Sequence, residues 1–221
     1  MKKKEDKIEP IKGSYMVYDI ETTGLPDFPK GQNRKYYPYN EKEKYKRSRI
    51  IQMAYEIYEE NGTLKKSFNK IIKPEGFVIP VSKYHNITNE IAQREGIRIQ
   101  EILDEYMKDL KSVEKIIGHN VEFDKMVTMA EMNLHNRQDI ILCMEQKKYE
   151  CIGKLSTNIC KLVWNSRYEG YKMPKLGEAY EYIFKEKLEG WHDALEDVKA
   201  CARIYKYIKN QENEDKKKIS R

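Results

Sequence analysis

Two acidic residues lie two positions apart in the segment Val17-Tyr-Asp-Ile-Glu-Thr-Thr-Gly-Leu25, which contains Asp19 and Glu21. The segment begins with aromatic and β-branched residues, which predicts a buried strand, and alternation along a strand places both carboxylates on one face. Two like charges at the end of a buried strand repel each other and lose hydration. A hard divalent cation with oxygen ligands, such as Mg²⁺, would offset both costs. Two acidic residues with this spacing, taken alone, are also compatible with a strand edge that faces water.

A third acidic candidate follows another short apolar run, in Ile116-Ile-Gly-His-Asn-Val-Glu-Phe-Asp124. We expect a strand to run through Gly118 and a helix to begin at Val121, with Asn120 as its N-cap. Asp124 would then lie in the first turn of that helix.

The segment Gly190-Trp-His-Asp-Ala-Leu-Glu-Asp197 has a similar arrangement. We expect Asp193 to cap the last helix and Glu196 to complete a capping box, which leaves Asp197 in the first turn. On one continuous helix His192 and Asp197 would point about 140° apart, so they converge only if His192 lies in the preceding loop. A histidine beside several carboxylates, with a pKa near working pH, is a candidate general base.

A mixed sheet flanked by helices is expected to position these residues. Strands are predicted over residues 14–20, 50–58 and 64–72, with Asn61-Gly62 as a hairpin turn, and these three should pair as an antiparallel meander. Further short strands are predicted at residues 115–118 and 139–144. Helical spacing of apolar residues follows within 99–110, 176–184 and 195–208. The pattern indicates an α/β fold with five strands.

The composition favours a globular, mildly basic protein. The chain has 221 residues, a formal net charge of +6 and 39% hydrophobic residues. We expect a single domain over residues 11–210 between charged tails, 1–10 and 211–221. No apolar run suits a membrane span or signal peptide. The four cysteines lack C-x-x-C spacing, so we expect free thiols in a reducing cytoplasmic compartment, with the nucleus or a viral factory as alternatives.

In this order, Asp19-x-Glu21, Asn120-x-x-x-Asp124 and His192-x-x-x-x-Asp197 resemble the motifs of the DEDDh-type 3′–5′ exonucleases. This group includes bacterial polymerase proofreading subunits and the RNase T and TREX-type enzymes, and the match spans about residues 14–209. Lys83-Tyr-His-Asn-Ile-Thr88 resembles the His-Gly-Ile-Thr loop that many members carry before a helix, with Asn86 in place of glycine. At the fifth strand, where many members have Asp-Thr or Cys-Thr, we expect Cys143-Met144.

The resemblance implies an RNase H-like fold and a phosphodiesterase that uses two Mg²⁺ ions, with Mn²⁺ as an alternative. Asp19 would bridge both ions, while Glu21 and Asp197 would hold the ion that activates water. Asp124 would support the second ion, and His192 would take the proton from the attacking water. Two cations stabilise the entering and leaving oxygens of an in-line displacement. The product would be a nucleoside 5′-monophosphate released from the 3′ end of single-stranded DNA or RNA.

The resemblance also implies residues that contact the substrate. The turn formed by Thr22, Thr23 and Gly24 would offer backbone N–H groups to the terminal nucleotide. The other substrate-binding candidates are Leu25, His85, Ile87, Asn120 and Phe123. For Leu25 and Phe123, plain core packing is an alternative.

A basic, tyrosine-rich insertion separates the first two strands at residues 26–49. It holds eight Lys and Arg against three Asp and Glu, and four tyrosines, Tyr36, Tyr37, Tyr39 and Tyr45, lie among these charges. Basic groups for phosphates and rings for stacking are what a single-strand binder uses. The alternative is a solvated loop, and the position directly after the strand of Asp19 favours substrate contact.

Several functions share these motifs. A stand-alone exonuclease, monomeric or homodimeric, ranks first. A proofreading subunit of a DNA polymerase is an alternative, although the short segment expected beyond Asn210 does not indicate a polymerase partner. A non-catalytic nucleic-acid-binding module would usually have lost one of the five catalytic positions, and all five are present. An RNase H-fold endonuclease would not need the histidine arrangement. No residue distinguishes DNA from RNA.

Overall fold

The computed structural model describes residues 10–31, 35–82, 84–166, 169–190 and 192–219. Residues 1–9 of the predicted tail 1–10, the basic Arg34, Lys83 of the loop Lys83–Thr88 and the last two residues of the C-terminal tail lie outside this part of the chain. The strands are β1 (Tyr15–Thr22), β2 (Ile50–Tyr58), β3 (Leu64–Ile71), β4 (Lys115–Gly118), β5 (Lys148–Cys151), β6 (Trp164–Asn165) and β7 (Gly170–Tyr171). The helices are α1 (Lys42–Tyr45), α2 (Asn89–Glu95), α3 (Leu103–Ser112), α4 (Glu122–Leu134), α5 (Gln138–Glu145), α6 (Ile152–Cys160), α7 (Leu176–Phe184) and α8 (Ala194–Ile219), and a short 3₁₀ turn, Ile99–Glu101, precedes α3.

Five strands form one mixed sheet in the order β3-β2-β1-β4-β5, which confirms the predicted α/β architecture. The strands β1, β2 and β3 pair antiparallel, with Glu21 opposite Gln52, whereas β4 and β5 join in parallel. The turn between β2 and β3 is the predicted hairpin, since Gly62 adopts φ 84° and Thr63 donates its backbone N–H to the Asn61 side chain.

Each face of the sheet packs against a separate set of helices. Met16, Tyr18 and Ile20 pack with residues of α3, α4 and α5 in one cluster. Tyr15 and Val17, on the opposite face, pack with residues of α6, α7 and α8. Because side chains alternate along β1, Asp19 and Glu21 share the face that α8 covers.

The predicted strand over residues 139–144 is wrong, because this segment forms α5. Ile140, Ile141 and Met144 are buried while Leu142 is exposed, a spacing that fits a helix rather than alternation. The fifth strand is Lys148–Cys151, so the Cys143-Met144 pair lies outside it. This strand is too polar to be recognised by hydrophobicity, and Lys115 on β4 forms an ion pair with Glu150 on β5 at 3.0 Å.

Two helix boundaries also differ from expectation. Asn120 is not an N-cap, because it adopts φ 58° and α4 begins at Glu122. The last helix does not end near Asn210 but continues to Ile219. Ion pairs three residues apart, such as Lys209 with Glu212, are suited to an exposed helical extension.

Among the residues that the structure describes, none of the helices has the length and apolar character needed to cross a membrane.

Candidate active site

The five candidate catalytic residues line one cleft at the end of β1. The cleft has a volume of about 1020 Å³. Three separate chain segments bring these side chains together: β1, the first turn of α4 and the start of α8. The residues are Asp19, Glu21, Asp124, His192 and Asp197.

Close packing of the backbone allows α4 to begin beside β1. Gly118 ends β4 where an added Cβ would lie 2.8 Å from the carbonyl oxygen of Tyr18, so a larger residue would push the strands apart. Asp124 follows in the first turn of α4 and is almost completely buried. The Tyr18 hydroxyl lies 2.8 Å from the Thr128 hydroxyl, which links β1 to the next turn of this helix.

The start of α8 presents the remaining two groups. Asp193 accepts hydrogen bonds from the backbone N–H groups of Leu195 and Glu196, so it is the predicted cap. Glu196 does not complete the capping box, because its carboxylate pairs with Lys199 at 2.7 Å. His192 lies in the loop before the helix, as expected, with φ 68°.

Ligand atoms of Glu21, His192 and Asp197 all lie within 4.8 Å of one another. This separation suits groups that hold one cation. One oxygen of Asp197, Oδ1, is buried and meets no hydrogen-bond donor among the described residues. A buried carboxylate oxygen without a donor is costly unless a cation binds it. The candidate metal ligands are mostly carboxylate oxygens, and they therefore fit a hard divalent metal ion.

Burial and mutual repulsion raise the pKa of every carboxyl in the cluster. The pKa of Asp19 is raised well above its ordinary value by burial and then by Asp124 and Asp197. Burial, followed by the charge of Asp197, raises the pKa of Glu21 to about 8. Burial likewise raises the pKa of Asp124 to about 8, although backbone N–H groups oppose it, and the pKa of Asp197 to about 6. The cluster thus accumulates negative charge at a cost that a cation would relieve.

The His192 imidazole has the opposite shift, because burial lowers its pKa. A lowered pKa keeps the ring neutral at neutral pH, in the form that can accept a proton. The ring of Tyr84 contacts the imidazole edge to face, with centroids 5.5 Å apart.

The structure brings most of the predicted substrate-binding residues to the cleft and leaves two elsewhere. Those that line it are Thr22, Thr23, Gly24, Leu25, His85 and Phe123. Ile87 instead packs on Ile51, Ile79 and Ala92. Asn120 lines a smaller neighbouring cavity of about 300 Å³.

The turn after Glu21 does not have all of its backbone N–H groups available. Thr23 donates its N–H to the carbonyl of Arg49 at 2.9 Å, and its hydroxyl donates to the carbonyl of Arg47. The turn is therefore attached to the end of the insertion.

The insertion is partly a packing element, which the sequence interpretation did not anticipate. Tyr45 is fully buried and donates its hydroxyl to the carbonyl of Tyr37, which itself packs against the core together with Tyr39. Arg49 forms a two-point ion pair with buried Glu131. Lys46 and Arg47 line the cleft.

Sequence reasoning missed a further part of the cleft lining. It consists of loop residues between β3 and α2, namely Phe77, Val78, Pro80, Ser82 and Tyr84. Asn89 attaches this loop to α2, because its side chain accepts from the N–H of Ile79 and donates to the carbonyl of the same residue. Apolar residues between Pro74 and His85 were the available signal in the sequence, yet they follow no helix or strand period.

A family model described as exonuclease, that of RNase T, matches residues 16–205. Among curated proteins, none matches the sequence. Among solved structures, E. coli exonuclease I in complex with a dA16 oligonucleotide is similar with a TM-score of 0.64 and 16% identity, over 90% of this chain and 41% of that chain. The zinc-bound complex of E. coli exonuclease I with single-stranded DNA has a TM-score of 0.61 and 16% identity, again over 90% of this chain and 41% of that chain.

A further similar structure is that of a 3′-exonuclease with 3′-end-specific recognition of the histone mRNA stem-loop. It has a TM-score of 0.57 and 14% identity, over 93% of this chain and 66% of that chain. The chain thus spans 41% of the length of E. coli exonuclease I. At these identities the likeness concerns the fold.

Proposed function

The chain belongs to the exonuclease family, and from this premise we propose that it is a metal-dependent 3′–5′ exonuclease of the DEDDh type. It would release nucleoside 5′-monophosphates one at a time from the 3′ end of single-stranded DNA or RNA. One observation carries the proposal: four carboxylates from three chain segments line a single cleft together with a histidine whose pKa is lowered.

Asp19, Glu21, Asp124 and Asp197 would hold the divalent cations, two Mg²⁺ or Mn²⁺ ions. When bound, such ions neutralise charge on the phosphate and lower the pKa of a coordinated water. The raised pKa of each carboxyl and the donor-free Oδ1 of Asp197 support this assignment.

His192 would act as the general base. The water oxygen forms a bond to the terminal phosphorus while its proton passes to the neutral imidazole, and the bond from phosphorus to the 3′ oxygen breaks. The phosphate leaves with the terminal nucleotide, and the 3′ oxygen of the shortened strand takes a proton from solvent to become a 3′ hydroxyl. The loop position of His192, beside Glu21 and Asp197, suits this role because the ring remains next to the carboxylates without being part of α8.

The cleft walls would hold the strand. Lys46 and Arg47 place positive charge in the cleft, suited to phosphates, and Phe77 and Tyr84 contribute rings, suited to bases. The similar solved structures include an exonuclease in complex with a DNA oligonucleotide and a 3′-exonuclease that recognises the histone mRNA stem-loop, which supports nucleic acid as the substrate class.

A time course on 5′-labelled single-stranded DNA and RNA of one sequence, with Mg²⁺, tests the proposal. We expect a ladder that shortens from the 3′ end and is absent in Asp19→Ala. Binding of both strands without any shortening would contradict the exonuclease and favour a non-catalytic module.

A further inference from the structure

A buried glutamine on β2 connects the sheet to the loop that carries His192. The side chain of Gln52 is 2% exposed. Its Nε2 donates to Asp193 Oδ2 at 3.1 Å and to Asn69 Oδ1 at 3.0 Å, and its Oε1 accepts from the backbone N–H of Ala194 at 3.2 Å. A buried amide costs free energy unless its polar atoms have partners, and here both ends of the amide have them.

The loop that Gln52 contacts has an unfavourable backbone. Gly190 has φ 70° and His192 has φ 68°, and the left-handed conformation is unfavourable for a non-glycine residue such as His192. Such a conformation persists only when surrounding contacts impose it. The backbone N–H of His192 donates to the Asp197 carboxylate. Asp193, the next residue, donates its N–H to the carbonyl of Gly190, and its two carboxylate oxygens face different elements.

One oxygen of Asp193 caps α8, and the other accepts from Gln52. Gln52 is the register partner of Glu21 across β1 and β2. A short path therefore runs from Glu21 through the strand pair to Gln52, then to Asp193 and its neighbour His192. This path is one constraint on the separation between the carboxylate and the imidazole, beside the hydrogen bond from the His192 backbone to Asp197.

We infer that Gln52 is a positioning residue, which holds the His192 imidazole in place relative to Glu21 by anchoring the loop through Asp193 and Ala194. The inference rests on the proposed function, in which His192 accepts the proton. A misplacement of about 1 Å at a reacting group can lower the rate by about 10²-fold. Loss of the anchor should therefore lower kcat, whereas KM should change little because Gln52 does not line the cleft.

Exchange of the amide and the carboxylate tests the inference directly. Gln52→Glu places a carboxylate against Asp193 and removes the donor. We expect kcat to fall about 10-fold or more, with KM within about 2-fold of wild type. In the double variant Gln52→Glu with Asp193→Asn, the donor and the acceptor change sides, and asparagine remains a good cap. We expect kcat to recover to within about 3-fold of wild type.

Tyr55→Phe is the matched control. It removes another buried hydrogen bond from β2, that of the Tyr55 hydroxyl to Asp109 at 2.6 Å, on the opposite face of the sheet. This variant should lower the unfolding temperature and leave kcat unchanged. Wild-type kcat in Gln52→Glu, or a double variant as slow as the single one, would overturn the inference.

Two readouts do not depend on activity. The chain has four histidines, so the imidazole resonances of His192 can be assigned by NMR. In Gln52→Glu we expect these resonances to shift and the Ala194 amide to exchange faster with solvent, and in the double variant we expect both to return. If the wild type hydrolyses nothing, the proposed function fails, while these two measurements still decide whether Gln52 holds the loop. Unchanged His192 resonances and an unchanged Ala194 exchange rate in Gln52→Glu would refute the positioning role of Gln52.

Discussion

Asp197→Asn should stabilise the protein against unfolding when divalent metal is absent and the pH is high. The carboxylates of Glu21 and Asp197 present oxygens within 4.8 Å of each other. At an effective dielectric constant of about 20, two unit charges at this distance repel by roughly 3.5 kcal/mol. Because the pKa of Glu21 is about 8, this carboxyl is half ionised at about pH 8. Removal of the Asp197 charge at this pH should therefore relieve roughly 2 kcal/mol of repulsion.

The direction of the pH dependence follows from the raised pKa values. A carboxyl whose pKa is higher in the folded state than in the unfolded state destabilises the fold as the pH rises from the unfolded value to the folded one. The metal-free wild type should therefore lose stability as the pH rises from about 4, through the pKa of Asp197 near 6, to that of Glu21 near 8. The benefit of Asp197→Asn should appear over the same range and vanish below it.

The assay is thermal unfolding in EDTA at several pH values. For a domain of this size, 2 kcal/mol corresponds to roughly 4–8 °C in Tm. Glu196→Gln is the control, since this residue lies on the same turn of α8 but is only half-buried and is paired with Lys199, and the pair contributes about 1 kcal/mol or less. A lower Tm for Asp197→Asn at pH 8, or the same gain at pH 4 as at pH 8, would refute the repulsion argument.

Three other perturbations test separate parts of the site. His192→Ala should lower kcat by about 10²-fold or more, and a pH–rate profile identical to wild type would remove it as the base. Lys46→Ala with Arg47→Ala should raise KM and lower the salt slope of binding by about 1.4, at about 0.7 per phosphate contact, and an unchanged slope would exclude both from the strand path. Glu131→Gln should lower the free energy of unfolding by about 3 kcal/mol, because it leaves Arg49 without its partner, and an equal stability by urea titration would contradict this.

Local patterns were sufficient to predict the first three strands and the last helices. The strands β1 and β2 are rich in aromatic and β-branched residues, and Asn61-Gly62 gives the hairpin its turn. The five candidate catalytic residues could be identified because three motifs, in order along the chain, resemble those of the DEDDh-type exonucleases. Their roles in catalysis stay predictions.

Other features depend on contacts between distant segments. The helical spacing of Ile140, Ile141 and Met144 is too short a signal to separate a helix from a strand. Asn120 favours capping by residue type, yet its N–H donates to Cys151 Sγ at 3.3 Å and its backbone is left-handed. In the sequence, Gln52 is only one polar residue within a predicted buried strand. Its partner Asp193 lies 141 positions away, so their hydrogen bond leaves no local signal. No local pattern reports such a contact.

The insertion illustrates the limits of composition. Its excess of Lys, Arg and Tyr suggested a surface that binds a single strand. Tyr45 and Arg49 are instead used for packing and for an ion pair, and only Lys46 and Arg47 among the basic residues of the insertion that the structure describes line the cleft. A deletion over residues 30–47 would remove part of the core, so point variants test the substrate prediction more cleanly.

The most direct test of the central proposal follows the oxygen of the attacking water. Hydrolysis of a single-stranded oligonucleotide with Mg²⁺ in water enriched in oxygen-18, followed by mass spectrometry, locates the bond that breaks. If the carboxylate cluster and His192 act as proposed, oxygen-18 appears in released nucleoside 5′-monophosphates, and the shortened strands carry unlabelled 3′ hydroxyls. Oxygen-18 in a 3′ phosphate of the remaining strand, or in internal fragments without mononucleotides, would contradict the account.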